Sequence, residues 1–204
     1  MPIPPATFTL IVATTLAYLV QMGAGLSFVL NFALWPLGAS PDLGQQVAAG
    51  SFQPWQLVTY SFLHGSFTHL FLNMFALYMF GSELERLFGR RRYVTYWFVA
   101  VLAAGITQLV VSAGSGSYYP TVGASGGVFG LLLAYGIHFP RRTIVLLIPP
   151  IPMPAWLFVI VYAGIELFLG VTGTQAGVAH FAHLGGMLGG WLMLRYWRRR
   201  AYGQ

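Results

Sequence analysis

The chain has 204 residues, of which 57% are hydrophobic and 7% charged, with no cysteine and a net charge of +6. A soluble domain carries about 25% charged residues, so this composition reads as a polytopic membrane protein, with room for about six spans of 20 residues and no large soluble domain. There is no lysine, and the ten arginines fall in three clusters: Arg86 with Arg90, Arg91 and Arg92; Arg141 with Arg142; and Arg195 with Arg198, Arg199 and Arg200. Each cluster caps an apolar stretch, the positive-inside pattern of cytoplasmic helix ends, which excludes nucleic acid as the reason for the positive charge. Without cysteine there is no disulfide, and the redox compartment cannot be inferred.

The first apolar run, residues 8–30, lacks a basic leader and a cleavage site and is predicted as a retained span. Residues 31–55 carry Pro, Gly, Ser and the lone Asp42. They read as a loop outside the membrane between spans one and two, with Trp35 and Trp55 at headgroup level. A second span is predicted over 67–87, with Ser66 as its N-cap, and a third over 93–112. "SAGSGSYYPTV" is then an outer turn, and a short fourth span covers 125–139. Prolines 149, 150, 152 and 154 make "RRTIVLLIPPIPMPAW" a poor helix, assigned to the cytoplasmic interface. The fifth span follows over 154–170 and the sixth over 176–195. The fold class is an all-α membrane protein, a single domain over 1–204 with six transmembrane helices and both termini cytoplasmic. No internal repeat suggests an inverted-repeat transporter.

The arginine clusters also serve as a depth ruler. At 1.5 Å rise per residue, Ser125 lies about 24 Å above Arg141. Asn73 and His69 lie about 20 and 25 Å above Arg86, and His183 and His180 about 18 and 22 Å above Arg195. Polar groups inside a bilayer are costly unless they face one another or water, so this common depth points to one site built from three helices. His69 and Asn73 share a face at i and i+4. Gly126-x-x-x-Gly130 on the fourth span, and Gly185-x-x-x-Gly189 and Gly186-x-x-x-Gly190 on the sixth, permit close backbone approach. His183 shares the Gly186/Gly190 face. Depth by itself favours His180 slightly over His183 and does not choose between them.

"TVGASGGVFG" contains Gly-x-Ser-x-Gly around Ser125, a pattern found at hydrolase nucleophiles. A serine hydroxyl needs a base within hydrogen-bond reach, which a histidine supplies. An oxyanion needs preorganised donors, which the N–H groups at Ser125, the Asn73 amide and the His69 imidazole could provide. A short fourth helix starting below the outer surface leaves a funnel for water above the serine.

"GASGGVFG", "AHLGGMLGG" and "HGSFTHLFLNM", with "PWQLVTYSFLHGSF" and "ELERLFG" flanking them, resemble the motifs of the rhomboid family of intramembrane serine proteases. The resemblance runs from about residue 53 onward. It implies a catalytic dyad of Ser125 and His183 without a carboxylate third member, an oxyanion hole to which His69 and Asn73 contribute, and no cofactor. It also implies transmembrane protein substrates, admitted by a mobile fifth helix and outer loop. The chain departs from the family at two places: Gln56 follows Trp55 where some members have arginine, and Phe129 stands where some have tyrosine, allowing stacking on the histidine but no phenolic hydrogen bond.

The remaining polar residues take structural readings. His180 is a neighbour of the site, His64 is interfacial, and Glu166 is a neutral or hydrogen-bonded group inside the fifth span. Glu83 and Glu85 pair locally with Arg86 and Arg90. The rival functions are a metal-dependent membrane protein using His180-x-x-His183 with His64 and His69, and a catalytically silent rhomboid-like binder of membrane proteins. The first lacks His-Glu-x-x-His and has few carboxylates; the second predicts a missing serine or histidine. A bacterial plasma membrane is the expected location, and the oligomeric state is open.

Overall fold

A computed structural model describes residues 2–38, 50–145, 150–173 and 179–202. Most of the described chain is helical. Helix α1 (Pro5–Ala24) opens with proline in its first turn, where a missing N–H costs nothing. The chain then bends at Gly25 into the short α2 (Leu26–Phe32), so the predicted span over 8–30 is two helices rather than one. A four-residue helix α3 (Gln56–Thr59) and a 3-10 turn (Tyr60–Phe62) follow. The predicted second span is continuous from α4 (Phe67–Ala76) through a π-helical segment (Leu77–Gly81) into α5 (Ser82–Phe88). Ser66 caps it as predicted, its side chain accepting from the His69 N–H at 3.1 Å.

Helix α6 (Arg90–Ser115) is longer than the predicted third span, and α7 (Ser125–His138) matches the short fourth. The proline-rich connection holds an antiparallel pair, β1 (Thr143–Val145) with β2 (Pro152–Pro154). Prolines cannot donate to a ladder and are confined to such short edge strands. Helix α8 (Ala155–Thr172) and helix α9 (His180–Tyr202) complete the order; the predicted start of the sixth span, at 176, lies outside the described residues. By length and apolarity, α1, α6 and α8 can each cross a membrane, and α7 is a shorter apolar helix. Helix α8 turns Trp156, Ile160, Phe168 and Val171 outward, a face suited to hydrocarbon and not to water.

The core forms where α9 lies against α6 and α7, around fully buried Tyr96, Trp97, Val101 and Leu131. The glycines of α9 seat it on both α6 and α7. A Cβ on Gly185 would come 2.6 Å from Thr107 Cβ of α6, and one on Gly189 3.1 Å from the Val99 carbonyl oxygen. One on Gly186 would strike the Gly126 carbonyl of α7, with its carbon at 2.8 Å and Cα at 3.1 Å. Tyrosine hydroxyls tie the seams: Tyr96 donates to the Gly130 carbonyl at 2.7 Å and Tyr60 to that of Val101 at 2.8 Å.

The carboxylates also act at long range. Glu83 pairs with Arg86 at 2.9 Å as expected, and with Arg142 at 2.7 Å. Glu85 does not pair with its local arginines. It is buried and accepts from the backbone N–H groups of Ala6 (2.9 Å) and Thr7 (2.7 Å) and from the Thr7 hydroxyl (2.8 Å). The N-terminal N–H groups of a helix have no partner within it, and an anion suits that end of its dipole; α1 is therefore capped by a residue 79 positions away.

The expected loop over 31–55 is described only outside 39–49. Trp55 is exposed, as an interfacial residue would be, but Trp35 is buried. Its indole donates to the Leu30 carbonyl at 3.1 Å and its ring meets Tyr118 at 5.9 Å. Gln56 organises this region. Fully buried, it accepts from the N–H groups of Trp35 and Gln53 and donates to the carbonyls of Asn31 and Ser51.

Because the neighbour of Gly186 is backbone, Gly186→Val should destabilise the protein by about 1–3 kcal/mol through overpacking. Gly164, with nothing within 4 Å of an added Cβ, should accept alanine with a gain of about 0.5–1 kcal/mol. Unfolding in detergent, followed by circular dichroism, measures both.

Candidate active site

The site opens at the start of α7. Gly123 has φ of +128°, a conformation open to glycine alone, and its N–H donates to the Tyr60 carbonyl at 3.0 Å. A Cβ there would also collide with the His69 ring, 2.7 Å from Cε1 and 2.9 Å from Nε2. This glycine both turns the chain into the helix and lets His69 come close to Ser125. Ser125 is the first helical residue, so the N–H groups around it lack intrahelical partners and carry the positive end of the helix dipole.

Ser125 Oγ lies 2.7 Å from His183 Nε2 of α9. The other ring nitrogen of His183, Nδ1, lies 2.8 Å from Glu166 Oε2 of α8, although not in line for a good hydrogen bond. The contact is therefore a close approach of ring nitrogen and carboxyl oxygen rather than a linear N–H···O bond. His180 Nδ1 meets the same oxygen at 2.7 Å with hydrogen-bond geometry. Phe129, one turn along α7, stacks on His183 with ring centres 4.4 Å apart and planes 3° from parallel, the stacking expected of a phenylalanine at that position. Glu166, His180 and His183 are all buried.

Ser125, His183 and Glu166 meet a cavity of about 840 Å³, lined also by His69, Asn73, Gly123 and Tyr162. The shared depth of Ser125, His183, His69 and Asn73 corresponds to one shared cavity. Depth could not choose between the two histidines, and the structure separates them: His183 faces the serine, His180 only the carboxylate. Asn73 is buried and donates one amide hydrogen to the His69 carbonyl at 2.9 Å, leaving the other for a guest.

One sequence expectation needs correction here. His64 is not interfacial but fully buried; its ring is 4.9 Å from that of His69, and its Nε2 faces the Ala124 N–H at 3.4 Å. Its backbone is held by Gln21, whose amide donates to the His64 carbonyl and accepts from its N–H. Glu166 is hydrogen-bonded inside the fifth span, as expected, with His180 as its partner and His183 Nδ1 beside the same oxygen. Its Oε2 thus stands at the ring nitrogen of His183 that is not turned to Ser125. Glu166 stands out in the sequence as one of four acidic residues in the chain, placed inside an apolar helix where an ionisable group needs a partner.

Chemically, the arrangement pairs a hydroxyl with an imidazole whose second nitrogen faces an anion. Glu166, His180 and His183 each offer one ligand atom within 4.8 Å of the others, so this trio could also hold a divalent cation. The rival set of His64, His69, His180 and His183 is not gathered among the described residues; His64 and His69 pack on each other away from the trio, with ring centres 4.9 Å apart.

Comparison with known proteins agrees with this architecture. The Rhomboid domain family matches residues 51–200. The chain is 30% identical over 139 residues to "Rhomboid protein 1, mitochondrial" of Saccharomyces cerevisiae, covering 64% of this chain and 38% of that protein. It is 28% identical over 152 residues to "Presenilin-associated rhomboid-like protein, mitochondrial" of Mus musculus, covering 69% and 38%. It is 25% identical over 200 residues to "Rhomboid protease GlpG" of Yersinia pestis, covering 96% and 63%. The chain thus spans well under half the length of the two mitochondrial relatives. It belongs to the rhomboid family and is a membrane protein.

Gly123→Ala should cost about 1–3 kcal/mol, since it combines strain at positive φ with displacement of His69. A lowered thermal midpoint in detergent, absent for Gly114→Ala in open space, checks it.

Proposed function

We propose that the chain is an intramembrane serine endopeptidase that cuts transmembrane-helix substrates near the outer face of the bilayer, with Ser125 as nucleophile and His183 as its base. The observation that carries this reading is the 2.7 Å approach of Ser125 Oγ to His183 Nε2 inside a cavity. A serine is activated by an adjacent base at such a distance. Family membership supports hydrolysis as the chemistry, since relatives of this chain bear the name rhomboid protease.

In this reading His183 Nε2 accepts the Ser125 proton as Oγ adds to the scissile carbonyl. The oxyanion meets donors from the N–H groups at the start of α7, the Asn73 amide and the His69 ring. His183 returns the proton to the departing amine, and water then hydrolyses the acyl-enzyme. The cavity reaches between Leu72 and Met79 on one side and Phe158 and Tyr162 of α8 on the other, which supports lateral entry of a substrate helix past α8. The topology is six spans with both termini cytoplasmic, supported by the arginine clusters, in one rhomboid-like domain. The host membrane in this reading is the bacterial plasma membrane, for which the 96% coverage by the Yersinia protein speaks.

Ser125→Ala and His183→Ala should each lower cleavage of a model transmembrane substrate in proteoliposomes by about 10³-fold or more, with unchanged circular dichroism. Substantial cleavage by purified Ser125→Ala refutes the assignment. A silent binder predicts no cleavage by the wild-type protein under any condition.

A further inference from the structure

We infer that Glu166 is a positioning residue for His183, with His180 as the clamp that aims it, so that Glu166 holds the His183 ring in the tautomer that serves Ser125. This inference rests on the protease reading. It starts from the sharing of one oxygen: Oε2 of Glu166 stands 2.8 Å from His183 Nδ1 and 2.7 Å from His180 Nδ1. A neutral imidazole carries a single ring proton. With a carboxylate beside each Nδ1, the proton resides there on both histidines, which leaves His183 Nε2 unprotonated toward Ser125 Oγ. That is the tautomer general-base catalysis requires.

His180 explains why the carboxylate stays where it is. Its Nδ1–H donates a well-aligned hydrogen bond from one turn before His183 on the same helix. Glu166 belongs to a different helix, so the bond also sets α8 against α9 at this depth. The groups facing His183 are Ser125 and Phe129 from α7, Glu166 and Tyr162 from α8, and His69 across the cavity. Glu166 is the one carboxylate among them.

The proton balance follows. As Oγ forms its bond to the carbonyl carbon and the carbonyl π pair moves to oxygen, the hydroxyl proton passes to Nε2. His183 becomes an imidazolium whose Nδ1–H faces the anionic Oε2, so the positive charge forms next to a fixed negative one. When the C–N bond breaks, the same proton leaves Nε2 for the amine nitrogen. Glu166 is a carboxylate throughout and exchanges no proton. A divalent cation in the trio is disfavoured as the alternative, because both Nδ1 atoms already stand at hydrogen-bonding distance from one oxygen.

Glu166→Gln should lower kcat by about 10- to 100-fold, less than loss of an in-line carboxylate, because the Nδ1 contact is out of line. KM should stay within about twofold. The rate per active site is obtained by titrating Ser125 with a fluorophosphonate. The acid limb of the pH profile should move to lower pH, since an imidazolium without its anion loses its proton more readily. Glu166→Asp should recover part of the loss, and His180→Ala should show a smaller fall of the same kind, which keeps the test alive should Glu166→Gln not fold. An unchanged rate per titrated site and an unmoved acid limb in these variants overturn the inference, as does inactivation of the wild-type protein by a chelator with recovery on added zinc. The protease reading fails separately, by activity in Ser125→Ala, whatever Glu166 does.

Discussion

The close approach of α9 to α7 is the contact on which the rest of the structure depends. Gly186 lies against the Gly126 carbonyl, and no side chain fits between them. Hydrocarbon gives two apolar helices little reason to leave lipid for each other; packing at small residues and polar contacts across the seam hold them together. The geometry links this seam to the site directly. Ser125 immediately precedes Gly126, and His183 is three residues before Gly186, so the glycine contact fixes the distance between hydroxyl and imidazole. Gly185 and Gly189, offset by one position, seat the same helix on α6, so α9 cannot slide along α7 without losing its fit there.

Carboxylates are few in this chain, and each described one reaches beyond its own helix. Of its four acidic residues, Asp42 lies outside the described residues. Glu83 ties α5 to the turn before β1, Glu85 caps α1, and Glu166 joins two histidines. An ionisable group within a membrane helix must meet a partner or water, and these pairings meet that demand between segments far apart in sequence. Gln56 does the same with neutral bonds, satisfying its whole amide against four backbone groups.

Depth along a helix was legible in the sequence, while direction around it was not. A constant rise and three arginine belts were enough to bring Ser125, His183, His69 and Asn73 to one level, and they line one cavity. The choice between His180 and His183, the partner of Glu85 and the burial of His64 all depend on which way a face turns after packing. Local spacing is silent on that: it pairs Glu85 with nearby arginines and puts His64 at the interface. The break at Gly25 and the π-helical turn within the second span escaped for a related reason: both lie inside continuous apolar runs, where hydropathy has no period to lose. The β1–β2 pair was hidden by prolines that speak against helix without specifying a strand. Glu166 was visible as an anomaly, and its partners were not.

The account centres on a serine made nucleophilic by one particular imidazole. The direct measurement is mass-spectrometric mapping of a fluorophosphonate adduct on the folded protein in detergent, for the wild type and for His183→Ala. The account predicts one modified residue, Ser125, in the wild-type protein and loss of that adduct in the His183 variant. Labelling of Ser125 at an undiminished rate without His183, or modification of another residue in its place, contradicts it.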